Sequence, residues 1–208
     1  MRWWRIWLAV TVMLLLSATM VSAAGTGGIS LSAAIAPIGV GDAGSGFGAP
    51  EYQDAFDTGW TIRIEPYYDF TPLVRGQFGV AYNSWGGKTF NSVTFEDLKI
   101  TTYYLGVKIR FLPRSSIRPY VVANIGAAHL SSVDVSISGG PHQPYWGSTT
   151  TAFLDIGGGV EFQVAPKVSF FLDIRAQGMG EPDSKDSPFS DADGVGSLPI
   201  SAGINISF

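Results

Sequence analysis

The chain has no cysteine. That excludes a disulfide framework, cysteine-ligated metal and a lipid anchor on a mature N-terminal cysteine. Histidine is nearly absent too. His129 and His142 are the only two, too far apart and too few for a zinc site built on three or four ligands. Basic residues are scarce: 13 Lys+Arg against 17 Asp+Glu. Phosphate-backbone binding needs clustered Lys and Arg, so nucleic acid is not an expected partner. Long hydrophobic runs are missing as well. The longest, Ile6 to Leu16, is interrupted only by Thr11 and falls short of the roughly 20 residues that cross a bilayer as a helix. Arg2 and Arg5 precede this run and Val21-Ser22-Ala23 follows it. A basic start, a short apolar core and a small-residue site make a secretory signal peptide. Residues 1–23 are therefore read as the leader and 24–208 as one domain; cleavage after Ala24 suits the pattern nearly as well. Losing Arg2 and Arg5 leaves 11 basic against 17 acidic residues, a net charge of −6. With no membrane helix left, insertion into lipid is open only to a closed barrel, the other structure that satisfies every backbone group there.

What the chain does have is alternation. Eight stretches rich in Val, Ile, Tyr, Phe and Thr occupy 28–37, 57–69, 73–85, 99–112, 117–131, 149–164, 168–179 and 198–208. Most alternate apolar with small or polar residues, the period-2 mark of a strand with two unlike faces. No helix is expected after the leader. The connections alternate in length. Those at 38–56, 86–98, 132–148 and 180–197 are long and rich in Gly, Ser, Asp and Pro, while the others are short and carry Pro72, Pro113 and Pro166. Long loops on one rim and short turns on the other are the layout of a membrane barrel.

Alternation alone does not say which face is outside, since a soluble barrel would turn the apolar face inward. Three features favour the inverted arrangement. Aromatics stand near both ends of the apolar face: Trp60, Tyr82 and Tyr103 toward the long loops, Phe70, Phe111, Phe162 and Phe208 toward the short turns. Such residues form the two interfacial girdles of a membrane barrel. Trp60 and Phe70 are ten residues apart, about 25 Å of height for a strand tilted near 40°. The polar face also carries many glycines, which leave room inside a narrow barrel for long charged side chains.

The last strand sets Ile200, Ala202, Ile204, Ile206 and Phe208 on one face and finishes on the aromatic. It resembles the C-terminal strand of bacterial outer-membrane barrels. The segments Arg118-Pro119-Tyr120-Val121-Val122-Ala123-Asn124-Ile125-Gly126-Ala127-Ala128 and Asp155-Ile156-Gly157-Gly158-Gly159-Val160-Glu161-Phe162 resemble the paired fifth and sixth strands of the small OmpA-like and OmpX-like barrels. The resemblance spans most of residues 28–208. It implies an all-β, eight-stranded antiparallel up-and-down transmembrane barrel in the outer membrane of a Gram-negative-type bacterium. It also implies contact with outer-membrane lipid and lipopolysaccharide, and an assembly machinery that reads Phe208, Ile206 and Ile204. A monomer is expected. The family includes surface-interaction proteins and narrow pores, and fold does not choose between them.

An eight-stranded barrel is just wide enough for side chains to fill it. The inward candidates are Arg63, Arg75, Lys108, Arg110 and Arg175 against Glu65, Asp155, Glu161 and Asp173. Buried charges must be paired, so these are expected to form a network that blocks the lumen, with a narrow ion path as the alternative. A lipid-modifying enzyme is the second alternative. His129-Leu130-Ser131 resembles the His-x-Ser element of outer-membrane lipid A deacylases, but no carboxylate is found on the outward face of the adjoining strands to orient the histidine. Asp191-Ala192-Asp193-Gly194 matches part of a calcium loop, yet Phe189 and Ile200 stand where ligands belong. No catalytic residue, metal or cofactor is expected. The loop aromatics Phe47, Tyr52, Phe56, Trp85, Phe90, Phe95, Tyr145, Trp146 and Phe189 suit either partner anchoring or a packed loop cap.

Overall fold

The computed structural model describes residues 25–39, 41–44, 50–137, 140–183 and 192–208. The expected leader, residues 1–23, therefore lies outside the described residues. So do Phe47, Phe189 and Asp191 of the loops. In chain order the strands are β1 (Thr26–Ala36), β2 (Gly59–Asp69), β3 (Val74–Trp85), β4 (Thr89–Phe90), β5 (Val93–Phe95), β6 (Leu98–Arg110), β7 (Ile117–Leu130), β8 (Val133–Ile137), β9 (His142–Trp146), β10 (Thr149–Ala165), β11 (Val168–Met179), β12 (Gly196–Ser197) and β13 (Ile200–Ser207). Eight long strands pair antiparallel in the order β1-β2-β3-β6-β7-β10-β11-β13, and β13 returns to β1. The ring is closed, so no edge is left unpaired. The eight alternating segments of the sequence are these strands, every boundary falling within two residues. Short β12 is an addition, pairing with the end of β11 at Gln177 and Gly178.

The short turns are held as their residues dictate. Thr71 Oγ1 accepts the amides of Leu73 and Val74 at 3.2 and 3.0 Å, closing the Pro72 turn. Ser115 Oγ accepts the amide of Ile117 at 3.1 Å. Pro166 and Lys167 link β10 to β11.

The apolar face points outward all round the ring. Ile35, Ile62, Leu105, Ile125, Leu154, Ile156, Leu172 and Ile200 are more than half exposed. Trp60, Tyr82, Tyr103, Phe70, Phe111 and Phe162 stand on the same outer surface. A continuous apolar belt of this extent is far beyond what a soluble monomer exposes.

The inner face packs rings over glycines. Gly79 lies opposite Tyr104, Gly28 opposite Tyr67, Gly203 opposite Phe171 and Gly159 opposite Tyr120 in the strand register. A Cβ on Gly79 would stand 2.1 Å from the Tyr104 ring, and one on Gly203 2.3 Å from Phe171. The rings can occupy these places only because their cross-strand partners lack side chains.

The loops carry structure of their own. The connections after β3 and β7 supply β4, β5, β8 and β9, which form a four-stranded sheet in that order. Val133, Val135 and Ile137 do alternate in the sequence, but strands this short are swamped by flanking Gly and Pro. The expectation of no helix needs correction: among the described residues Tyr52–Ala55 forms one helical turn, too short to carry an amphipathic period.

A Gly79→Val variant should fold with a displaced Tyr104 ring and lose about 2–4 kcal/mol, the sum of overpacking and a lost hydrogen bond to a carboxylate. Urea unfolding in lipid vesicles, followed by heat-modifiable gel migration, measures this. A variant as stable as the parent would contradict the packing described.

Candidate functional site

The interior has three tiers. In the middle, Arg175 is the hub. It is fully buried, donates Nη1 to Glu65 Oε1 at 2.9 Å, and donates Nε and Nη2 to Asp173 Oδ2 at 3.0 and 2.9 Å. Glu65 also accepts from the Tyr104 hydroxyl at 2.9 Å and from Gln77 at 3.1 Å. Gln77 donates on to Asn124, Asn124 to Asp155 at 2.8 Å, and Gln177 to the other Asp155 oxygen at 3.1 Å. Tyr120 donates to Asp173 at 3.0 Å. Arg63 donates to Ser201 at 3.0 Å and faces Asp173 at 3.9 Å. The result is a continuous web across the barrel from β2, β3, β6, β7, β10, β11 and β13. Burial at this depth favours charges that are hydrogen-bonded, and most of the web is; Arg63 Nε and Nη1 and Asp173 Oδ1 have no hydrogen-bond partner among the described residues.

Near the short turns a second group gathers. Asp69 accepts from Arg75 Nε at 2.7 Å and from Arg110 Nη2. Arg75 also donates to Asn205 at 3.3 Å and lies 3.3 Å over the Tyr67 ring. Glu161 accepts from Ser169 at 2.9 Å and faces Arg118 at 3.5 Å.

All nine charged residues named from the sequence are buried inside the ring, and eight of them fall in these two groups. Lys108 departs from the expected ion pairing. Its Nζ has no hydrogen-bond partner among the described residues and sits 4.3 Å over the Tyr120 ring and 5.1 Å from the Phe171 ring centre. A desolvated ammonium on aromatic faces gains about 2 kcal/mol. Sequence reasoning passed over Asp69, Arg118 and the connecting Gln77, Tyr104, Asn124, Tyr120 and Gln177. Strict alternation places Asp69 with Arg63 and Glu65, so that residue was within reach.

Above the web the barrel is stoppered with apolar groups. Inward residues at the strand ends, among them Trp85, Leu98, Ile100, Leu130, Phe153 and Met179, join Tyr52, Phe56, Phe95, Val133, Tyr145 and Trp146 of the loops in one buried cluster. The rings of Phe56, Phe95, Tyr145 and Trp146 meet at centroid distances of 5.1–5.9 Å. Tyr145 donates to Ala43 O at 3.0 Å and Tyr52 to Asp193 O at 2.7 Å. Burial pushes the Tyr145 hydroxyl up to about 12, so it remains a neutral donor at ordinary pH. Of the two readings open for the loop aromatics, the packed cap is the one realised by Tyr52, Phe56, Trp85, Phe95, Tyr145 and Trp146; Phe90 is partly buried against them.

His129 stands on the outer face and its Nδ1 meets Thr150 Oγ1 at 3.0 Å. Ser131 Oγ accepts the Lys99 amide at 3.2 Å. Among the described residues no carboxylate lies within ion-pair distance of His129 and no cluster of three metal-binding side chains occurs. His142 instead faces Glu96 at 3.2 Å on the loop sheet.

A closed antiparallel ring with lipid-facing aliphatics and an ionised interior defines an integral membrane β-barrel. The chain belongs to the family described as outer membrane protein beta-barrel domain, whose model matches residues 8–198, and its place is the outer membrane. Among solved structures it is similar to Neisserial surface protein A, with a TM-score of 0.58 and 20% identity over 89% of this chain and 100% of that one. It is also similar to Ail, the attachment invasion locus protein of Yersinia pestis (0.52, 18%, covering 88% and 99%). A major outer membrane protein from Thermus thermophilus is a third (0.53, 11%, covering 88% and 99%). At these identities the likeness is one of fold. No curated protein matches the chain in sequence.

Replacing Arg175 with Met should cost about 3–5 kcal/mol, because it strands the buried Glu65 and Asp173 charges. Adding Glu65→Gln to that variant should restore part of the loss. Urea titration of the single and double variants tests the coupling; additive losses would show that the two side chains do not act as a pair.

Proposed function

We propose that this protein is a non-conducting outer-membrane scaffold that presents an ordered loop platform at the cell surface for interaction with a partner. The single observation that carries the reading is the double closure of the lumen. A polar web fills the middle, and an apolar cap built from residues of all four long loops fills the outer mouth. A transport pore needs a continuous aqueous path, and side chains occupy the axis at both levels. The platform itself is built rather than merely tethered. Its four-stranded sheet and the helical turn at Tyr52–Ala55 share the apolar cluster that plugs the barrel, so the loops and the strands hold one another in place.

In this reading residues 1–23 are removed on export and the barrel inserts as a monomer. Its belt meets lipid and lipopolysaccharide, and Trp60, Tyr82 and Tyr103 on one side with Phe70, Phe111 and Phe162 on the other sit at the two interfaces. The barrel-assembly machinery reads Phe208, Ile206 and Ile204. Phe208 donates its amide to Gly27 O at 2.9 Å and leaves its ring exposed, in keeping with a strand end that can be read before the ring closes. No catalytic role is proposed. The interior charges serve to fill and lock.

Purified protein refolded into planar bilayers should show no steady conductance. Reproducible open steps from pure protein would overturn the scaffold reading in favour of a narrow pore. Deleting Phe208 should reduce the amount of folded barrel in the outer membrane several-fold, read by heat-modifiable migration of membrane fractions. Unchanged insertion would remove the assembly role.

A further inference from the structure

The short-turn mouth holds a polar cavity of about 390 Å³ that the scaffold reading leaves without a purpose. Arg75, Arg110, Arg118 and Lys167 line it, against the carboxylates of Asp69 and Glu161. Phe208 lines it too; a terminal carboxylate there would bring the anions to three, still fewer than the four cations. In a chain that is acidic as a whole, this mouth is locally basic.

Arg75 is already engaged by Asp69, Asn205 and the Tyr67 ring. The other three cations retain capacity. Arg110 is buried, with its side chain 5% exposed, and gives Nη2 to Asp69; its Nε has no hydrogen-bond acceptor, Glu161 Oε2 standing 4.0 Å away. Arg118 gives Nε to Ser115 O and holds a 3.5 Å ion pair with Glu161. Lys167 is exposed and makes no side-chain hydrogen bond or ion pair among the described residues. These three come from the end of β6, the start of β7 and the β10–β11 turn. A planar carboxylate is best held by one guanidinium fork, which none of them offers intact. Single donors arriving from three directions suit a tetrahedral oxyanion.

We propose that the short-turn mouth binds a phosphate monoester or diester group, with Arg110 Nε, Arg118 and Lys167 as its donors. The group enters from the periplasmic rim, because the apolar cap closes the opposite mouth. The same chemistry is carried by a soluble phosphate ester and by the headgroup of an anionic lipid in the adjoining leaflet.

The test uses the full barrel refolded in a non-ionic detergent, with inorganic phosphate and glycerol 3-phosphate as probes and phosphorus NMR line width as the readout. Saturable broadening is expected. Each charged hydrogen bond lost should weaken binding roughly tenfold, so the Arg118→Gln, Lys167→Gln double variant should lose it by at least that factor. Lys99→Gln, at the other rim, should leave it unchanged. Heat-modifiable migration checks that the variants fold, and Lys167→Gln alone removes a side chain that holds nothing else. Absence of saturable binding, or equal binding by the double variant, would overturn the proposal. Repeating the titration in nanodiscs separates the two sources. Weaker phosphate binding in discs containing phosphatidylglycerol than in zwitterionic discs assigns the site to a lipid headgroup, and equal binding assigns it to a soluble ester; either supports the site.

Discussion

The pairing of β1 with β13 is the contact on which the rest depends. From Gly28↔Ser207 to Ile35↔Ile200 the two ends of the barrel domain lie side by side, and this seam turns a sheet into a ring. In hydrocarbon an unpaired strand edge leaves a row of amides and carbonyls unsatisfied, at several kcal/mol each. Once the ring is shut, every strand has one face on lipid and one on the lumen. The outward aliphatics and the inward charges are then two sides of the same condition. The small circumference fixes the next step: with eight strands there is room for side chains but not for water to solvate them freely. Ionised groups are therefore met from within the ring, as Arg175 is by Glu65 of β2 and by Asp173 two residues away on its own strand.

The strands were legible because closure enforces a strict period of two. Trp60, Ile62 and Ile64 alternate with Thr61, Arg63 and Glu65 in the sequence and on the two faces of β2 alike. Prolines 72, 113 and 166 marked the short turns for a chemical reason that needs no tertiary context. In the fifth segment Val and Ala are indifferent to face, and register settles it: Tyr120, Val122 and Asn124 point in, and Val121, Ala123 and Ile125 point out.

The interior was legible as a composition and not as a set of contacts. Which residues face the lumen follows from counting by twos. Which ones meet depends on the relative register of eight strands, and that emerges only from the assembled ring. Lys108 illustrates the gap. Its inward position was plain, but the two rings beneath it come from β7 and β11, strands whose alignment with β6 no local pattern encodes. The glycines show the same limit. Gly79 and Gly203 were visible as small residues on the polar face, whereas their pairing with Tyr104 and Phe171 is a property of the register. The cap was beyond sequence reasoning for another reason. Its strands are two to five residues long, below the length at which alternation can be told from chance.

An interior of charges raises the question of why the lumen is not packed with Leu and Val. Buried ion pairs contribute little net stability beside a well-packed apolar core. The distribution of charge along the axis offers an answer. At mid-height Arg63, Lys108 and Arg175 match Glu65, Asp155 and Asp173 in number, so the plug has no formal net charge. An apolar lumen would make the two faces of every strand chemically alike, and a one-residue slip of register would then cost almost nothing. With Arg63, Glu65, Asp155 and Arg175 on the inner face, the same slip would turn them toward acyl chains. That costs about 2–4 kcal/mol for each basic side chain near the bilayer midplane. The charges thus define inside and outside for the strands that carry them, the web of hydrogen bonds ties together strands from across the ring, and the glycines opposite Tyr104 and Phe171 make room for those rings in this register. The features that seal the barrel are in this way the same ones that specify it.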